Sequence, residues 1–187
     1  MDHTNVGLRA AVRALTDVVS PAVDPNDARA KEQLRLAIDY IEFVLERLDY
    51  FHDRELFDLR HHLEMAEAVQ EIVGPLALPG QAALTAAIEL GVQATPERSI
   101  PVRLVKDATA ALAGAIAAVV REAPGFDSAI RINIEQCILR LSKARFAFER
   151  SWYLPLGLDP DPGEVLPLPD VVGGPNSGIP RAVASGR

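Results

Sequence analysis

The chain has 187 residues, 49% hydrophobic and only 5% aromatic, with a formal net charge of −7 and a single cysteine, Cys137. That length suits one domain burying about 70% of its unfolded surface, and the apolar content excludes compositional disorder. The acidic balance, with no global basic excess, argues against nucleic acid and against an anionic lipid surface; one thiol excludes an internal disulfide and a multi-cysteine zinc site.

Met1 to Asn5 lack the basic start of a signal peptide. The uncharged run Ala108 to Val120 is thirteen residues, short of the about 20 that cross a membrane. The expected location is the cytoplasm. Apolar residues are mostly Ala, Leu, Val and Ile, mixed with Glu, Arg and Lys, which favours helix over sheet.

The first predicted helix runs from Thr4 or Asn5, either of which can cap it, to Val19. Leu8, Val12, Leu15 and Val19 form one apolar face, and Pro21 is expected to stop the helix. Asn26 or Asp27 caps the next segment. From Asp27 to Val73 there is no Gly or Pro, and apolar residues recur in steps of three and four from Leu34 to Val69. Globular helices are usually shorter than this run, so a break around Asp49 to Asp53 is preferred to one long helix.

Gly74-Pro75 ends that segment. Pro79-Gly80 opens a short helix to about Leu90, with Gly91 as its expected C-terminal glycine. Ser99 caps a helix from Ile100 to Ala123, with Pro101 tolerated in its first turn. Small residues around Gly114 suggest that neighbouring helices approach closely there. After Pro124-Gly125 a last helix runs from about Asp127 to Tyr153, with Ile130, Ile134, Cys137, Ile138, Leu141, Ala144 and Phe148 on its apolar face. The expected fold is all-α: an antiparallel bundle of five or six helices over 1–153, followed by an extended Pro/Gly-rich tail over 154–187.

The tail holds seven of the fourteen prolines and six of the twelve glycines, so it cannot be helical for long. It also carries Trp152, Tyr153, Leu156, Leu166 and Leu168 on and just before it, which makes these five the candidate interaction residues. Packing on the chain's own bundle is the favoured reading for the tail; docking on another chain is the sharper one.

Chemistry-bearing residues cluster between His52 and Glu64. His52 and Glu55 are three apart, and Asp58 reaches His61 and His62 at i+3 and i+4. His52, Glu55 and His62 are ligand-binding candidates, with Asn133, Gln136 or Arg140 on the last helix as polar partners. An acid-x-x-His step belongs to di-iron bundles, but the last helix offers no histidine, so a di-iron site is not expected; a mononuclear metal or a general-base histidine stays open, with no metal ligand and no cofactor assigned. A histidine hydrogen-bonded to a carboxylate at a helix–helix interface is favoured over a general base. Cys137 reads as a small buried hydrophobe. No nucleophile motif or phosphate loop is present, and the Gly173-Gly174 pair opens no helix.

Charge is uneven. Residues 27–73 carry twelve acids against six bases, whereas 127–153 carry five bases against three acids. Arg140, Lys143 and Arg150 fall on one helical face, either as a solvated face or as a receiver for an anionic ligand or acidic partner.

The opening stretch LRAAVRALTDVVSPAVDPNDARAKEQLRLAIDYIEFVLERL resembles a group of small helical bacterial proteins. These accompany aminoglycoside-phosphotransferase-like kinases and acyl-CoA dehydrogenase-like enzymes; the best understood is the small accessory subunit of a two-part 4-hydroxyacyl-CoA kinase. The likeness rests on a short helix, the turn Val19 to Val23 and a long second helix, over the first quarter of the chain. It implies an accessory role beside a metabolic enzyme and transfers no site residue. The leading expectation is therefore a helical accessory or interaction subunit, bound to a protein partner or self-associated, and not itself an enzyme. The alternative is a small-molecule- or metal-binding bundle using the His52–His62 segment. A transcriptional regulator ranks last, because the first helix carries only Arg9 and Arg13 as bases.

Overall fold

The computed structural model describes residues 3–74, 76, 80–95 and 100–172. The expected Ser99 cap, Pro79 and the Gly173-Gly174 pair lie outside them. The fold is an all-α bundle with no strand among the described residues. No helix among them is long and apolar enough to cross a membrane.

The chain divides into two compact units, 1–51 with 152–165, and 52–151 with the residues from 166 onward. The segment after 153 is thus shared between both units.

In the first unit, α1 (His3–Ala14) continues through a π turn (Leu15–Val19) into Ser20–Ala22. Pro21 therefore does not end the helix where expected. A proline ring clashes with the carbonyl four residues back, here that of Asp17, and the wider π turn lies over that position. Asn5 does not cap; its Oδ1 accepts from Arg9 Nε at 2.7 Å. Asp27 does cap α2 (Ala28–Arg47), accepting from the Ala30 amide at 2.8 Å.

The long Gly/Pro-free segment is two helices. One 3-10 turn, Leu48–Tyr50, separates α2 from α3 (Phe51–Val73). Arg47 sits at φ −99°, ψ −6°, so the ladder shifts register without leaving the right-handed region. The core of the first unit is an aromatic group. Trp152, 1% exposed, meets Phe43 and Phe51 edge-on, with ring centroids 6.4 and 5.5 Å away. Tyr153 stacks on Phe43 at 5.8 Å. Buried Arg47 donates from Nε to the Trp152 carbonyl at 2.9 Å. Beyond α6 (Ser128–Tyr153), the turn Leu154–Leu156 closes on Gly157 at φ +68°, a left-handed position that suits glycine.

The second unit packs the rest of α3, α4 (Gln81–Gln93), α5 (Val102–Glu122) and α6 through Ser151 around one apolar core. Leu59, Val69, Leu84, Val105, Leu112, Val119 and Ile134 are its innermost residues. The expected central role of the small-residue helix holds for its Val105, Ala108, Leu112, Ala115, Ile116 and Val119 face. Gly114 lies outside that face, with nothing within 4 Å of an added Cβ. The close approach is instead at Gly91. It is not a C-terminal glycine: α4 runs on to Gln93, and an added Cβ would lie 3.0 Å from Leu112 Cδ1 and 3.1 Å from Leu63 Cδ1. Helix α7 (Leu168–Val172) buries Leu168 and Val172 in this unit. Ser151 Oγ donates to the Leu166 carbonyl at 2.8 Å, fastening the approach to it.

Candidate functional site

The predicted histidine cluster separates on folding. His52 is exposed and makes no hydrogen bond among the described residues. Glu55 is drawn to α5, where its Oε1 meets Lys106 Nζ at 3.2 Å. The buried histidine is His61, only 6% exposed. Its ring stacks in line with Phe57, which stacks on Phe148 at a centroid distance of 4.0 Å.

His62 is half-buried, and its neighbours define its tautomer. Nδ1 lies 2.7 Å from the backbone carbonyl of Asp58 and Nε2 lies 3.2 Å from Arg145 Nη1. A carbonyl only accepts and a guanidinium only donates. Nδ1 therefore carries the proton and Nε2 accepts. The expected Asp58-to-histidine step is made by the backbone of Asp58, not its carboxylate. That carboxylate faces Arg145, with Oδ1 3.8 Å from Nη2 and no hydrogen bond of its own. Arg145 also lies 3.9 Å from Glu149, whose Oε1 accepts from Arg54 at 3.3 Å.

Burial holds the His61 imidazole down at about 4, below its ordinary 6.5; the neighbouring His62 and Arg145 push the same way, and Asp58 opposes them. His61 is thus a neutral ring wedged in an aromatic stack. The pattern favoured an interface histidine hydrogen-bonded to a carboxylate; the buried ring is instead His61 and packs by stacking, with no hydrogen bond to a carboxylate among the described residues. Among the described residues, no three His, Cys, Asp or Glu side chains are placed to hold a metal ion.

The proposed partners on the last helix lie elsewhere. Asn133, Gln136 and Arg140 line a shallow depression with Ala68, Glu71 and Ile72, at the far end of α3. The α6 residue that reaches the histidines is Arg145, which was not among the candidate site residues. Of the interaction candidates, Trp152 and Leu168 are buried in the chain's own units, Leu156 is half-buried, and Tyr153 and Leu166 are exposed.

An exposed apolar stripe lies on the opposite side of α6. Ile134, Leu141 and Phe148 recur every seventh residue and face the core. Ile132, Leu139 and Phe146 also recur every seventh residue, offset by two. Two residues turn a helix by about 200°, so this second stripe points outward. Leu139 is 68% and Phe146 69% exposed. Gln136, Arg140, Lys143 and Arg150 flank them in one open groove. Arg140 was a candidate; Leu139 and Phe146 were not. Cys137 is buried on the inner side.

Compared with protein-family models, with curated proteins and with solved structures, the chain matches none.

Proposed function

We propose that this chain is a cytoplasmic, non-enzymatic helical subunit that binds a protein partner through the outward face of α6, beside a metabolic enzyme. The observation that carries the reading is the exposed stripe of Ile132, Leu139 and Phe146 on a helix whose other side is already committed to the core. A helix whose only task was to cover a core would present polar groups outward. Contiguous exposed apolar surface rimmed by polar side chains marks interaction sites. The spacing of seven suits a second helix laid along the first. The accessory role beside an enzyme is supported by the resemblance of the opening stretch to small accessory proteins.

The test is affinity capture of the full chain from its native cells, with the mass of the complex measured by light scattering. The wild-type chain is expected to return with a stoichiometric partner. The double substitution Leu139→Gln, Phe146→Gln is expected to lose it while keeping the wild-type melting curve, because both side chains are exposed. Retention of the partner by the double variant would refute the reading.

A further inference from the structure

We infer that the occupant of the α6 face is an acidic amphipathic helix of another protein; this rests on reading that face as an interface. The chain carries a net charge of −7, yet the groove around Leu139 and Phe146 is lined by Arg140, Lys143 and Arg150 and, among the described residues, by no carboxylate. Arg140 and Lys143 make no hydrogen bond or ion pair among the described residues. Two cations thus flank an apolar seam, unmatched among the described residues. A helix presenting leucine-like side chains between Leu139 and Phe146, with Glu or Asp beside them, satisfies both requirements together.

Other occupants fit less well. Two copies of this face would set Arg140 and Lys143 of one copy against those of the other, and like charges facing each other across an interface cost affinity. The segment 173–187 carries Arg181 and Arg187 and no acid, so its charge has the same sign as the groove. Helix α2 of a second copy carries four acids against four bases and so offers no net negative charge; it would also make a head-to-tail contact, which closes into rings or grows into filaments. Its Glu32 and Asp39 are moreover already paired with Arg35, at 2.8 and 2.7 Å. An anionic membrane would be repelled by the chain's net charge.

The probe is a fluorescent three-heptad peptide with Leu at the seam positions and Glu at the flanks, compared with its Lys-for-Glu counterpart. Both are titrated with the full chain and read by anisotropy at low and high salt. The Glu peptide is expected to bind at least about tenfold tighter than the Lys peptide, with the difference shrinking as salt rises. Arg140→Glu with Lys143→Glu should reverse the preference, and Leu139→Gln with Phe146→Gln should abolish binding of both. Equal binding of both peptides, binding of neither, capture only on phosphatidylserine vesicles, or self-assembly of the chain that excludes the peptide would each overturn the inference. If the apolar double variant loses its cellular partner while the peptides are not discriminated, the interface stands and the acidic helix falls. If that variant keeps its partner, the interface itself falls.

Discussion

The guanidinium of Arg145 donates to His62 Nε2 at 3.2 Å and stands 3.8 Å from Asp58 Oδ1, so one side chain serves an imidazole and a carboxylate that otherwise has no partner. The same cation helps to hold His61 neutral, and Asp58 opposes it. Arg145→Met should therefore raise the His61 pKa from about 4, and Asp58→Asn should lower it further. Histidine resonances followed through a pH titration read both shifts. Movement of the two variants in the same direction would contradict this geometry. Arg145→Met should also cost about 1–3 kcal/mol, because it strips partners from partly buried polar groups.

The wild-type chain should lose stability on acidification through His61. Its imidazole binds a proton near 6.5 when unfolded and only near 4 when folded. Below the unfolded value the unfolded state takes up more protons, so this contribution is complete above about pH 6.5 and is lost as the pH falls toward about 4. The loss should reach about 2 kcal/mol, allowing for the shift and for partial solvent screening. Denaturation midpoints across that range check it; His61→Phe should flatten the slope.

Two glycines on neighbouring helices should respond oppositely to alanine. At Gly91 the new methyl would meet leucine methyl carbons of Leu112 and Leu63 at 3.0 and 3.1 Å. Overpacking costs about 1–3 kcal/mol, which should exceed the helix-propensity gain of about 1 kcal/mol. Gly114 has open space around it, so Gly114→Ala should stabilise by about 0.5–1 kcal/mol. Thermal melts of the two variants should shift in opposite directions.

Trp152 holds the first unit's aromatic core together. Trp152→Ala should cost about 3–5 kcal/mol through the cavity it leaves. Arg47→Met removes a donor from the Trp152 carbonyl and should cost about 1–2 kcal/mol. Urea denaturation measures both, and a near-neutral Trp152→Ala would contradict the placement of this ring.

Much of the bundle was legible from local rules. Asp27 caps α2 because its carboxylate follows a turn and precedes an apolar-periodic run. The inner face of α6 followed from the spacing of Ile134, Cys137, Ile138, Leu141 and Phe148. Gly91 was misread because a glycine near a helix end looks like a terminator; that Leu63 and Leu112 crowd it depends on tertiary packing. Pro21 was misread because a π turn leaves no residue-type mark. Arg145 was invisible as a site residue because His62 and Asp58, which it meets, lie more than eighty positions away in sequence. The outward stripe did carry a signal: large apolar residues at 132, 139 and 146, about 200° from the core-facing set. It was overlooked because apolar groups on both sides of a helix erase the contrast by which a face is recognised.

The most direct test of the central claim is photo-crosslinking in native cells. A photoreactive residue would replace Leu139 or Phe146 in the full chain, with the exposed Ala110 on α5 as control. The account predicts one discrete protein adduct from 139 and 146 and none from 110. Absence of an adduct at 139 and 146, or the same adducts from all three positions, would contradict the assignment of the outward face of α6 as the interface.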